Sequence, residues 1–159
     1  MLVLGIDPGL SGGYAFLNGA RLEALGRMPT FKPLSQKARM VNARELVSVV
    51  TGYGPIAMAV IEMVHAMPAQ GVSSTFTFGR ATGAVEAIAM GCSRDAIWVA
   101  PAVWKRHFDL LKKPKASSLE TASHFWPERG DLWKVKANDG VAEAALIAKW
   151  YLDTRLKRA

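Results

Sequence analysis

Apolar residues fall along the chain first in short, unbroken runs and later in helical spacings, and these two patterns predict its elements. The run Leu2-Val3-Leu4-Gly5-Ile6 ends in Asp7-Pro8-Gly9 and resumes as Gly12-Gly13-Tyr14-Ala15-Phe16. An unbroken Leu, Val and Ile run bounded by Pro and Gly predicts a buried strand, and Pro8-Gly9 with Gly12-Gly13 supplies the turn that folds it into a hairpin. Residues 21–25 predict a third strand, and residues 26–37 read as an irregular connector. Asn42 followed by Glu45 has the spacing of a capping box, and Leu46, Val47, Val49 and Val50 carry the helix to about Thr51, before Gly52. Gly54-Pro55 breaks the chain. Residues 56–61 are continuously apolar, as in a strand covered on both faces within a mixed or parallel sheet.

From Gln70 the pattern turns helical and runs to about Met90 through Gly79, Ala81, Gly83, Ala84 and Ala87. A glycine inside a helix costs about 1 kcal/mol relative to alanine, so these small residues imply a close backbone approach, either onto the sheet or at a subunit interface. Residues 97–99 form a short fifth strand. Pro101 opens a helix carrying Trp104, Lys105 and Arg106, and Pro114 ends the basic linker after it. Ser117 with Glu120 gives a second capping box whose helix ends near Trp126-Pro127, and residues 128–133 read as a polar loop. A long alanine-rich helix begins at Asn138-Asp139-Gly140 and continues to about Leu156. With no internal repeat or low-complexity tract, residues 1–159 read as a single α/β domain.

Two of these strands end in an acid, Asp7 and Glu62. An ionised group beside a core is costly unless it is paired, hydrogen-bonded or bound to metal. Ligands commonly bind at strand ends of open sheets. Asp7 also reads as a turn former and Glu62 as a solvated strand terminus. Asp139 lies in the first turn of the last helix, where the free N–H groups favour a carboxylate. Glu143, four residues on, shares its face, and two acids there repel unless a cation or solvent separates them. Four convergent carboxylates would offer oxygen ligands only, which suits Mg²⁺ or Mn²⁺. A pair of such ions roughly 3.5–4 Å apart can activate water and stabilise the leaving oxygen in phosphodiester hydrolysis.

Composition narrows the choice. Half of the 159 residues are hydrophobic and 21% are charged, ordinary values for one folded domain. No apolar run reaches membrane-spanning length and no signal-like core opens the chain, so a cytoplasmic protein is expected. A single cysteine, Cys92, excludes an internal disulfide, and three scattered histidines give no zinc pattern. The net charge of +7 favours a polyanionic partner. Lys105, Arg106, Lys112, Lys113 and Lys115 cluster in one segment, and Lys149, Arg155, Lys157 and Arg158 in another. Such clusters suit phosphate neutralisation, and also an ordinary solvated basic surface.

The order of elements resembles the RNase H-like fold, a central five-stranded mixed sheet flanked by helices, and the motifs resemble the RuvC family of Holliday-junction resolvases. Gly5-Ile6-Asp7-Pro8-Gly9 resembles the family's first-strand signature, Ile61-Glu62 its second acid, and Asp139-Gly140-Val141-Ala142-Glu143-Ala144 its terminal acidic helix. Gly79-Arg80-Ala81-Thr82-Gly83 resembles its dimer-interface helix, and Pro101-Ala102-Val103-Trp104-Lys105 a segment with a DNA-contacting lysine, with Lys115 where a second is expected. The resemblance implies a homodimeric, Mg²⁺-dependent endodeoxyribonuclease that makes paired cuts in four-way junctions. Two Mg²⁺ ions, for which Mn²⁺ can substitute, would be held by Asp7, Glu62, Asp139 and Glu143. DNA would meet Arg80, Lys105, Arg106, Lys112, Lys113, Lys115 and Lys136, and Gly79, Gly83 and Ala87 would lie between subunits. Lys136 stands where bacterial members carry an acid, so Glu143 becomes the fourth ligand. His65 and Met67-Pro68 replace a bacterial aromatic that stacks near the crossover. With Gln70-Gly71 and Phe76-x-Phe78-Gly79, this form is closer to the phage-type branch, whose members can cut other branched DNA. Two other readings stay open: a catalytically silent junction-binding protein, and a phosphate-loop domain of the actin and sugar-kinase superfamily, which Asp7-x-Gly9 with Gly12-Gly13 also resembles.

Overall fold

The computed structural model describes residues 1–35, 38–66 and 71–156. The first apolar run forms strand β1 (Leu2–Asp7), which reverses into β2 (Gly13–Asn18) and then β3 (Arg21–Arg27). A small ribbon of β4 (Thr30–Phe31) and β5 (Met40–Val41) follows, then α1 (Ala43–Gly52) and β6 (Met58–Glu62). Next come α2 (Val72–Cys92), β7 (Ala96–Val99), α3 (Pro101–His107), α4 (Ala116–Phe125), the short α5 (Gly130–Trp133) and α6 (Asp139–Leu156). Five strands form one mixed sheet in the order β3-β2-β1-β6-β7. The hairpin pairs are antiparallel, whereas β1 with β6 and β6 with β7 are parallel. No helix among the described residues is long and apolar enough to cross a membrane.

Strand alternation sends successive side chains to opposite layers. Val3, Ala15, Leu17 and Val60 pack under α6 with Val141, Ala144, Ala145 and Ala148. Leu4, Ile6, Phe16, Ala59 and Ile61 face the other way, onto Leu46 and Val50 of α1 and Ala81, Val85 and Ala89 of α2. The alanine content of α6 follows from how closely it lies on the sheet. A Cβ on Gly5 would sit 2.1 Å from the Ala144 carbonyl oxygen, and one on Gly13 would sit 2.8 Å from Val141 Cα. Backbone therefore touches backbone, and larger side chains on either side would lift the helix away.

Three local expectations need correction. The connector after β3 is not wholly irregular, because Thr30 and Phe31 pair with Val41 and Met40 in the ribbon. Ser117 does not cap α4: Lys115 is the N-cap in helical conformation, so Ser117 already lies inside the first turn. Residues 128–133 are not a polar loop. A 3-10 turn (Pro127–Arg129) and α5 occupy them, drawn inward by Trp133, which is buried and donates Nε1 to the Trp126 carbonyl at 2.9 Å. The Asn42 cap does form, with Glu45 N–H donating to Asn42 Oδ1 at 3.3 Å and Asn42 Nδ2 to Glu45 Oε2 at 2.9 Å. Lys37 of the connector, Met67-Pro68, Gln70, Lys157 and Arg158 lie outside the described residues.

Candidate metal centre

Parallel pairing brings the two strand-end acids together. Ile6 sits opposite Ile61, so the next residues, Asp7 and Glu62, leave β1 and β6 side by side at one sheet edge. Asp7 shares its face with Val3 and Gly5, and Glu62 shares its face with Met58 and Val60, which is the face α6 covers. The start of α6 reaches this edge because Gly12 bridges Gly140, and because Gly140 has no side chain. A Cβ there would lie 2.7 Å from Asp7 Oδ2 and 2.7 Å from the Ser11 carbonyl. Glu143, one turn into the helix, then points over the strand ends. One carboxylate oxygen each from Asp7, Glu62 and Glu143 lies within 4.8 Å of the others.

Each acid has its own support. Glu62 is buried, and its Oε1 accepts a hydrogen bond from Nε1 of the fully buried Trp104 at 2.9 Å. Glu143 is also buried, and its Oε1 accepts from Ser118 Oγ at 3.2 Å and pairs with Lys105 Nζ at 3.2 Å. The Lys105 ammonium in turn lies 5.0 Å from the Trp104 ring centroid. Asp139 is outside the three-acid group. Its Oδ1 accepts from the Gly140 N–H at 2.9 Å, and its Oδ2 is 3.8 Å from Lys115 Nζ.

Burial pushes the Asp7 carboxyl well above the usual carboxylate range, Glu143, Glu62 and Asp139 push it further, and Lys115 opposes them. Burial also raises Glu62, against the Trp104 hydrogen bond; Glu143 adds to the rise, while Lys105 and Lys115 counter it. Crowded acids of this kind are eased by a proton or by a cation. The donor set is entirely carboxylate oxygen, so the residues present fit a hard divalent ion of the Mg²⁺ or Mn²⁺ type. The acids open into a cleft of about 820 Å³ that Pro8, Ser73, Phe78, Lys105 and Lys115 also line. That space is far larger than an ion requires.

The remaining expected site residues are dispersed. Arg80 lines an adjoining cavity of about 270 Å³ beside the ribbon, with its guanidinium 5.7 Å from the Phe76 ring and 3.8 Å from Met40 Sδ. Arg106 and Lys112 are exposed near the cleft's basic segment, Lys113 pairs with Asp109 at 3.0 Å, and Lys136 is exposed in the 3-10 turn (Lys136–Asn138) before α6. Gly79, Gly83 and Ala87 face outward from α2, and an added Cβ on either glycine would meet nothing within 4 Å. Packing onto the sheet does not explain these small residues, because Ala81, Val85 and Ala89 form the face that packs there. Two supports have no signal in the sequence: nothing in the spacing links Trp104 to Glu62 or Ser118 to Glu143.

No protein-family model matches the sequence, and no curated protein matches it. Solved structures do. Thermus thermophilus RuvC in complex with a Holliday junction substrate is 19% identical, with a TM-score of 0.62 over 98% of this chain and 96% of that one. Another structure of Thermus thermophilus RuvC is 18% identical, with a TM-score of 0.62 over 99% of this chain and 97% of that one. The yeast mitochondrial Holliday junction resolvase Ydc2 is 14% identical, with a TM-score of 0.56 over 98% of this chain and 80% of that one. From the first strand to the last helix, this chain has the fold of these RuvC-type resolvases.

Proposed function

We propose that the chain is a metal-dependent, structure-specific endodeoxyribonuclease that resolves Holliday junctions by paired phosphodiester hydrolysis. The observation that carries this reading is the meeting of Asp7, Glu62 and Glu143 within 4.8 Å, beside two lysines in an open cleft. The shared fold with a RuvC bound to a Holliday junction supports the same substrate class. Asp7, Glu62 and Glu143 would hold Mg²⁺, with Mn²⁺ able to substitute, and Asp139, beside that group, adds negative charge that raises the proton affinity of Asp7. Ions held there would supply an activated water and would stabilise the leaving oxygen.

The protein's own groups do the rest. Trp104 holds Glu62 in one orientation, and Ser118 does the same for Glu143. Lys105 and Lys115, on the cleft wall, meet the phosphodiester backbone, with Arg106, Lys112 and Lys136 extending the basic surface and Arg80 reaching a flanking strand. The outward stripe of Gly79, Gly83 and Ala87, with exposed Phe76 and Met90 on the same helix, pairs with a second copy in a two-fold dimer. Such a dimer matches the approximate two-fold symmetry of a junction, which gives two cuts from one kind of site.

The test is cleavage of a mobile four-way junction beside fork, flap and plain duplex controls, with Mg²⁺ and with EDTA. Paired nicks in the junction that require the metal are expected. Tight junction binding with no cleavage under any divalent ion would overturn the nuclease reading in favour of a silent binding protein.

A further inference from the structure

Lys105 is the one lysine whose ammonium contacts the three-acid group within 3.5 Å among the described residues, and its setting gives it two places to be. Its Nζ is 3.2 Å from Glu143 Oε1, yet its side chain remains 30% exposed on the wall of the cleft. The oxygen it touches does not depend on it, because Ser118 Oγ donates to that same Oε1 at 3.2 Å. The residue before it is fixed: Trp104 is fully buried and tied to Glu62, so the lysine stem swings from a rigid base. A lysine is a compact charge on a flexible stem, suited to leaving one anion for another.

Resting on the metal-centre reading above, we propose that Lys105 is an exchangeable counter-ion of the carboxylate cluster. Its ammonium neutralises Glu143 in the metal-free protein, is expelled when a divalent cation takes that carboxylate, and is thereby released to a DNA phosphate. An ammonium and a dication on one carboxylate repel each other, so occupancy by one disfavours the other. A phosphate that draws Lys105 into the cleft removes the competitor and tightens the metal. By reciprocity, the metal tightens DNA by the same factor. Lys115 is poorly placed for this part, being 3.8 Å from Asp139 and 85% exposed. The loaded centre and the loaded cleft therefore select each other, and metal held without DNA is penalised by the lysine it must displace.

The test is calorimetric titration of Mg²⁺ and of Ca²⁺ into the full-length, DNA-free protein at pH 8. Lys105→Met is expected to bind either ion about threefold to tenfold more tightly than wild type. Lys105→Arg, which keeps the charge, should stay within about twofold of wild type. Ser118→Ala, which removes a neutral donor from the same oxygen, should bind no more tightly. Circular dichroism of each variant confirms folding, and Lys105→Gln, which also removes the charge and should tighten either ion by the same threefold to tenfold, serves if Lys105→Met fails that check. In a second arm, the gain in junction affinity on adding Ca²⁺ should be at least threefold smaller in Lys105→Met. A Lys105→Met protein with wild-type or weaker metal affinity, beside a wild type that binds metal, overturns the exchange and leaves the metal centre standing. A wild type that binds neither ion overturns the metal centre itself.

Discussion

Replacing Asp7 by asparagine is expected to stabilise the metal-free protein while removing its activity. The three clustered carboxylate oxygens lie within 4.8 Å of one another, and Asp7 faces the other two. At an effective dielectric constant of about 20, unit charges at that separation repel by about 3.5 kcal/mol per pair. The fold does not bear that whole cost. Burial and the neighbouring acids raise the Asp7 proton affinity, so the folded protein escapes by binding a proton, and each tenfold of affinity is about 1.4 kcal/mol. Lys115 also opposes the rise. Taking the proton and this lysine to offset about half of one such pair leaves about 2 kcal/mol for asparagine to relieve, which is about 4–8 °C in Tm for a chain of this size. The sign follows from linkage. A carboxyl whose folded pKa is raised makes the fold lose stability as pH climbs through that value, so the wild type is handicapped at pH 8 and relieved in acid. Thermal unfolding in EDTA should therefore place Asp7→Asn above wild type at pH 8, with the gap shrinking at pH 5. Saturating Mg²⁺ should reverse the order, because ligand at a hundred times its Kd adds about 2.7 kcal/mol to whichever protein binds it. An Asp7→Asn protein no more stable than wild type in EDTA at pH 8 would refute the crowding argument.

Four further outcomes follow from the same geometry. Glu143→Gln should raise the Mg²⁺ requirement for cleavage more than Asp139→Asn, since Glu143 lies inside the acid group and Asp139 beside it; equal effects in a metal titration would give both the same standing. Trp104→Phe leaves buried Glu62 without its indole donor and should cost about 1–3 kcal/mol of stability, read by urea unfolding; an unchanged midpoint would mean water replaces the indole. Lys115→Ala should lower the magnitude of the salt slope of junction binding by about 1, and an unchanged slope would place the backbone elsewhere. Gly83→Leu should weaken the proposed dimer in light scattering while leaving monomer stability nearly unchanged, because its side chain enters open space; a stable, active dimer would move the interface.

The sheet was legible because both of its signals are local. Unbroken apolar runs marked β1 and β6, and Pro8-Gly9 with Gly12-Gly13 marked the reversal between β1 and β2. Asp7 and Glu62 could be paired on paper because each closed such a run. What the sequence hid were contacts between distant segments. Ser117 looks like a cap, yet the helix starts earlier and its neighbour Ser118 holds Glu143. Trp133 sits among polar residues, but its own burial folds them into helical turns. The glycines of α2 signalled a close approach, but on the sheet side that approach is made by Ala81, Val85 and Ala89, while Gly79 and Gly83 face open space; hydrophobic spacing does not separate a sheet-facing stripe from an exposed one when both are small.

The contact between α6 and the hairpin also fixes when the site can exist. Asp7 belongs to the first strand and Glu143 to the last helix, so every strand of the sheet is synthesised before the third acid is available. A nascent chain that has emerged only through β7 holds two strand-end carboxylates and an uncovered sheet face at Val3 and Val60, which α6 later hides. Contacts this distant in sequence are slow to form, because loop closure must be paid before they contribute. In order of synthesis the acid group is therefore completed last, and the same packing of α6 onto Gly5 and Gly13 that covers this sheet face carries Glu143 to Asp7 and Glu62.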